Sequence, residues 1–313
     1  MLPRCQSSRA KWTQSFPTRP VTIVDTFPPG GSTGIVARIV AEKLSELLGQ
    51  QIIVDQRGGA GGTVAARQIA RSTPDGYTIM LAFTGTLAIA PSLYPNAGYD
   101  PRKDFAPVGR IGTAPNSLVV HPSFPVRSIA ELIAYAKQNP GKVNFASAGI
   151  GTVGHVAGEL LASMADIKLV HVPYRGAGPA LTDLLGGHIP MSFAPIPATY
   201  ENTKNGLLRM LGVTSLKRSS LLPDVPTIAE QGLPGYEAVL RYGLVVPAGT
   251  PRPIIDRLNK ELRAALATDD VRSRFATVGA EPLASTPEEY AADIHHEEIK
   301  WSALIKSLGL KAE

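Results

Sequence analysis

Five times along this chain an apolar, strand-like run stops at a turn rich in Gly, Ser, Thr or Pro, and a helical pattern usually follows. The first instance is the clearest: Val21 to Asp25 reads as a strand, Phe27-Pro28-Pro29-Gly30-Gly31-Ser32-Thr33 as a turn, and Ile35 to Leu48 as a helix. Proline pins φ and glycine admits positive φ, so a turn of this composition has a definite shape and bares N–H groups. Ser32 and Thr33 are natural N-cap residues, and the positive end of the helix dipole falls on the same spot. Strand, glycine turn and helix N-terminus together suit an anion such as a carboxylate. The other four turns are Thr84–Thr86, Ser147–Thr152, Tyr174–Gly178 and Ala194–Pro195. Such alternation predicts an α/β fold with mostly parallel strands flanked by helices, and the middle third repeats the architecture of the first as a second α/β unit. Ligands of open α/β sheets bind at the C-terminal ends of the strands, where all five turns lie.

The chain has 313 residues, room for about two domains. Its 44% hydrophobic and 18% charged content support a large core. The net charge of +5 comes from scattered Lys and Arg, without the clustering or aromatic interleaving of a nucleic-acid surface, so no nucleic-acid partner is expected. Cys5 is the single cysteine, which excludes an intrachain disulfide and a Cys-based zinc site. The six histidines show no H-x-x-x-H spacing with an acid, and the adjacent His295 and His296 would diverge by about 100° on a helix. Neither a metal nor a cofactor is expected. No apolar run approaches the ~18 residues of a membrane span. Residues 1–20 carry Arg4, Arg9, Lys11 and Arg19 without an apolar stretch, so no signal peptide is readable.

Elsewhere Ala106–Ile111 and Ser117–His121 read as two strands, and Ile129–Gln138 as a helix with Ser128 as N-cap and Glu131 at the capping-box position. Two C-terminal helices, Ile254–Ala267 and Pro287–Leu308, carry apolar stripes at helical spacing: Ile254, Leu258 and Leu262, then Tyr290, Ile294, Trp301, Ile305 and Leu308. These are expected to be core.

Two motifs propose enzymes. Gly30-Gly31-Ser32-Thr33-Gly34 satisfies G-x-S-x-G, the nucleophile elbow of an α/β hydrolase, with Asp293 and His295 as partners in the right order. Only one strand fits ahead of Ser32, however, where an elbow needs several. Gly149-Ile150-Gly151-Thr152-Val153-Gly154 satisfies the dinucleotide fingerprint, but the next strand ends Val172-Pro173-Tyr174-Arg175, without the acid that holds a ribose; Arg175 would have to serve a 2′-phosphate. The strand ends are poor in Asp, Glu and Lys, which suits hydrogen bonding of a small polar solute better than acid–base work. A non-enzymatic binding protein is therefore the main reading, and a hydrolase using Ser32 the alternative.

A series of stretches in order carries a family resemblance from about Pro17 to Gly309: Arg19-Pro20-Val21-Thr22-Ile23-Val24, Phe27–Thr33, Gly59-Ala60-Gly61-Gly62, Pro74-Asp75-Gly76-Tyr77, Lys103-Asp104-Phe105-Ala106-Pro107, His171-Val172-Pro173-Tyr174, Pro223-Asp224-Val225-Pro226-Thr227 and Pro247-Ala248-Gly249-Thr250-Pro251. The chain resembles the Bug/TctC solute receptors of tripartite tricarboxylate transporters. The resemblance implies a two-lobed periplasmic-binding-protein fold of type II-like form, with residues 1–118 plus 240–313 in one lobe and 119–239 in the other. It implies a monomer in the periplasm, a small carboxylate (organic acid) closed into the interlobe cleft, and TctA/TctB-type membrane subunits as partners. Phe27, Gly30, Gly31, Ser32 and Thr33 would face Ser147, Ala148, Gly149, Gly151 and Thr152 across the cleft. Thr84, Gly85, Thr86 and Tyr174 would line it, with His155 near the second turn. Three departures bear on the ligand. The family has Asp where this chain has Gly34, often Asp where it has Ala194, and often Trp where it has Arg241. Ala194 would argue against an ammonium group on the ligand, and Arg241, if turned into the cleft, would pair a second carboxylate.

Overall fold

A computed structural model describes residues 16–27, 32–94 and 96–312; the side chains of Ser32 and Ala60 are outside the description. The first half runs β1 (Val21–Asp25), α1 (Ser32–Leu48), β2 (Ile52–Gln56), α2 (Thr63–Ala70) and β3 (Thr78–Phe83). A π-helical turn at Gly85–Ile89 then leads into the short α3 (Ala90–Leu93) and β4 (Phe105–Val120). The middle runs α4 (Ile129–Gln138), β5 (Val143–Ser147), α5 (Val153–Ala165), β6 (Leu169–Pro173), α6 (Ala177–Leu185), β7 (Met191–Pro195), α7 (Ile196–Lys204) and β8 (Arg209–Val213). The last part is β9 (Val239–Pro247), α8 (Arg252–Leu266), α9 (Asp269–Thr277), β10 (Glu281–Pro282) and α10 (Pro287–Ser307).

The α/β class expected from the alternation is what forms. The strands line up in the order β2-β1-β3-β9-β4-β7-β5-β6, with β8 and β10 also paired to β4. The outer strands are parallel, β2-β1-β3 at one end and β7-β5-β6 at the other. The middle pairings, β3-β9, β9-β4 and β4-β7, are antiparallel. Parallel strands are covered on both faces, which is why β1 is buried at four of its five residues, Asp25 among them.

β4 ties the halves together. The two strands expected at 106–111 and 117–121 are one strand of 16 residues. Its first part, Phe105–Pro115, pairs with β9, and its last part, Asn116–Val120, pairs with β7. Register shifts between Pro107 and Gly109 and between Arg110 and Gly112 accommodate residues that an unbroken ladder would not. Proline and glycine inside the run are why the sequence reads as two strands.

Two large apolar clusters flank the sheet. One gathers Val36, Val40 and Leu44 of α1 against Leu258 and Leu262 of α8 and Phe275 of α9. The other gathers Phe145, Phe193 and Leu118 against Val156 and Leu161 of α5. α10 serves both sides: Tyr290 and Ile294 pack with β3 and β9 residues, whereas Trp301, Leu304 and Ile305 enter the second cluster. The apolar stripes are therefore core, except that Leu308 caps α10 and is 39% exposed. Ser128 caps α4 by accepting from the Glu131 N–H, while the Glu131 carboxylate reaches past it to the Arg127 N–H. α7 and α9 are helices that the apolar spacing does not announce, since only Ile196 and Thr199 of α7 and Val271 and Phe275 of α9 are buried.

Candidate functional site

Four strand-to-helix turns converge on one cavity of about 570 Å³ between the two halves of the sheet. α1 contributes Thr33 and Ile35, α5 Val153 and Gly154, α6 Ala177 to Pro179, and α7 Pro197 and Ala198. Most are first-turn residues, where backbone N–H groups have no partner within their own helix, although Pro179 and Pro197 carry no N–H. Four positive helix ends thus face one space. Among the described residues the lining contains one cation, Arg175, and no carboxylate. The rest of the wall is mainly apolar, including Phe27, Phe83, Phe193, Leu240 and Val278.

Beneath the first turn lies Asp25, fully buried. Its carboxylate accepts from the Phe27 N–H, the Thr33 hydroxyl and the Gln56 amide, each at 3.1 Å. Burial pushes its pKa above the ordinary carboxylate value, while these three bonds pull the other way. Phe27 is fixed further by an edge-on contact with Phe83, centroids 4.8 Å apart. Gly34 follows directly: a Cβ there would sit 2.3 Å from the Gln56 amide nitrogen. The absence of a side chain at Gly34 is what lets Gln56 reach Asp25. Gly30, Gly31 and the Ser32 side chain lie outside the described residues.

In the second turn most polar groups are spent on the turn itself. Ser147 is buried; its hydroxyl accepts from the Gly149 N–H and shares a 2.6 Å bond with His171 Nε2. His171 stacks on His155, ring centroids 4.1 Å apart. His155 Nδ1 accepts from the Gly151 N–H, which leaves its proton on Nε2, 3.8 Å from Glu159. Burial lowers the His155 pKa to about 4. Burial, and then the neighbouring His155, lowers that of His171 to about 3, so both rings are neutral near pH 7. Thr152 caps α5, accepting from the His155 N–H and donating to the Gly149 carbonyl. Of the turn residues expected in the cleft, Ala148 and Thr152 line it, whereas Ser147, Gly149, Gly151 and His155 shape the turn behind them.

Six further residues expected in the cleft lie off the lining of this cavity. Thr84 and Thr86 are buried, not lining: the Thr84 hydroxyl accepts from the Arg241 N–H, and that of Thr86 bonds the Thr26 hydroxyl. Gly85 faces the Gly151 carbonyl, 3.1 Å from where a Cβ would stand, so this segment joins the halves. Tyr174 turns away and donates to Asp183 at 2.7 Å, leaving Arg175 to face the cavity. Ala194 is buried with its carbonyl held by the Ser117 hydroxyl, while Phe193 and Pro195 on either side line the wall. Arg241 is held by Glu237 at 3.0 Å and Glu297 at 3.2 Å, two carboxylates that take it out of the cleft. Strand alternation explains Ala194, because successive side chains of β7 point to opposite faces, whereas Tyr174 lies past the end of β6 and is held off by Asp183. A Tyr174→Phe chain is expected to bind its ligand with unchanged affinity and lose about 1 kcal/mol of stability through the Asp183 bond, read by calorimetric titration and urea unfolding.

The sequence reading also missed Asn116, Phe83, Leu240 and Val278. Only Asn116 carries a visible signal, a carboxamide within the otherwise apolar end of β4.

The family described as tripartite tricarboxylate transporter family receptor matches residues 36–310. A "UPF0065 protein in tcbD-tcbE intergenic region" of Pseudomonas sp. strain P51 is 42% identical over 98% of this chain and 91% of its own length. Among solved structures, Rpa4515 of R. palustris with adipate is 37% identical with a TM-score of 0.87, covering 95% of this chain and 99% of that one. MatC from Rhodopseudomonas palustris with bound malate is 34% identical with a TM-score of 0.83, covering 93% and 100%.

Proposed function

Because this chain belongs to the tripartite tricarboxylate transporter receptor family, we propose that it is a periplasmic solute receptor that captures a small carboxylate between two closing lobes. The observation that carries the reading is electrostatic. Four helix N-termini and Arg175 face one cavity without a lining carboxylate among the described residues, so an anion is favoured and an ammonium group meets no counter-charge. The acids bound by the R. palustris neighbours have the same charge.

The lobes are residues 1–118 plus 240–313 and residues 119–239, with the end of α10, from Trp301, carried on the second. β4 and β9 form the hinge, since the partner of β4 changes between Pro115 and Asn116. The receptor delivers its ligand to membrane subunits for uptake or sensing and performs no chemistry on it. Its neutral imidazoles, the buried His155 and the half-buried His171, are occupied in holding a turn, away from the cavity lining.

Titration calorimetry of a panel of organic acids, with the matching amino acids beside them, tests this. At least one acid is expected to bind with micromolar or tighter affinity and its amino-substituted counterpart at least tenfold more weakly. Equal affinity for acid and amino acid would overturn the electrostatic argument, and turnover of any ester or acid by the chain would overturn the receptor reading.

A further inference from the structure

Asn116 is 6% exposed, lines the cavity, and has no hydrogen-bond partner for its side-chain carboxamide among the described residues. Its backbone is fully used, since its N–H donates to the Thr214 hydroxyl and its carbonyl accepts from the Thr214 N–H. Its side-chain polar atoms are not among the fully buried unpartnered ones, so the carboxamide opens into the cavity of a largely apolar wall, where a ligand can supply its partner. Asn116 also stands at the residue where β4 passes from β9 to β7, the point about which the halves turn.

We propose that the ligand is an aromatic carboxylate bearing a hydroxyl, with Asn116 reading that hydroxyl. This rests on the carboxylate-receptor reading above. The aromatic body follows from the wall. Phe27, Phe83 and Phe193 offer faces and edges, and Pro195, Leu240 and Val278 continue the apolar surface. A space of about 570 Å³ is within the ordinary range for small-molecule sites, and a short diacid would bring little apolar surface to cover such a wall. The hydroxyl follows from the carboxamide. A hydroxyl can accept from Nδ2 or donate to Oδ1, whereas a second carboxylate can use only Nδ2 and sets its charge against Oδ1. The ligand's own carboxylate is left for Arg175 and the helix N-termini.

The test titrates benzoate, 2-, 3- and 4-hydroxybenzoate, adipate and malate into the wild-type chain and into Asn116→Leu, which keeps the branched shape and removes both polar atoms. In the wild type at least one hydroxybenzoate is expected to bind tenfold or more tightly than benzoate. In Asn116→Leu that advantage should fall to within about threefold while benzoate binding is retained. A hydroxyl advantage that survives Asn116→Leu would overturn the role of Asn116. If Asn116→Leu does not fold, the wild-type ratio decides, and no preference for any hydroxybenzoate over benzoate overturns the proposal. Adipate or malate binding more tightly than every aromatic acid would overturn it while leaving the carboxylate receptor standing. Indifference to all six acids would remove both.

Discussion

A chain carrying Glu in place of Arg175 is expected to bind its carboxylate on the order of a hundredfold more weakly, with its thermal stability unchanged. Arg175 is the one cation among the described lining residues, and no ion pair or hydrogen bond within the described chain holds it. Exchanging it for Glu changes the charge beside the ligand by two. At an effective dielectric of about 20 and a separation of about 6 Å, each unit is worth roughly 3 kcal/mol. Arg175 is exposed, so solvent screening reduces the pair of units to roughly half that total, about 3 kcal/mol. Arg175→Gln should fall between, near tenfold. The penalty should shrink as salt rises, because the interaction is open to counterions. Calorimetric titration at two ionic strengths measures both effects. Equal affinity in Arg175→Glu would mean that the carboxylate sits beyond its reach, at the α7 end of the cavity.

The second large effect is expected on acidification. The two stacked imidazoles have folded pKa values of about 4 and about 3, against an unfolded value near 6.5. Between those limits the unfolded chain binds more protons, so stability falls as pH falls from about 6.5 towards 4. Each imidazole contributes a slope of up to about 1.4 kcal/mol per pH unit. Asp25 and Glu159, whose pKa values burial raises, work the other way, gaining protons in the folded chain first. The net loss between pH 7 and pH 4.5 is expected to be about 3–5 kcal/mol. Urea unfolding across that range should show it, and His171→Gln, which places an uncharged amide beside Ser147, should reduce the slope by about half. A flat profile would mean that the stack is open to water and titrates normally. Function is expected to follow the same curve, because the stack shapes the turn that presents Ala148 and Thr152.

What the chain settles locally is legible in its residues. The strand-turn-helix units of β1–α1 and β5–α5 were readable because each is set by neighbours a few positions apart, an apolar run, a glycine turn and a capping hydroxyl. The α4 cap was legible for the same reason, as were the apolar stripes of α8 and most of α10. Within each half the gathering of the turns also follows from the sequence, since parallel strands leave their C-terminal ends together, but the antiparallel pairings between the halves decide that the two sets of turns meet. Partners remote in the chain decided the rest. The Thr84 hydroxyl is spent on an N–H 157 residues away, and Arg241 is neutralised by Glu297 on α10. Neither encounter leaves a local trace. Whether Phe193 or Ala194 faces the cleft depends on strand register, which is fixed only when the sheet pairs, and Arg175 rather than Tyr174 faces it because Asp183 holds the Tyr174 hydroxyl. Composition and periodicity determined that this chain makes α/β units whose turns suit an anion. The tertiary structure alone decided which side chains line the cavity, because the pleat turns every second residue away and distant partners claim hydroxyls and charges that the sequence leaves open.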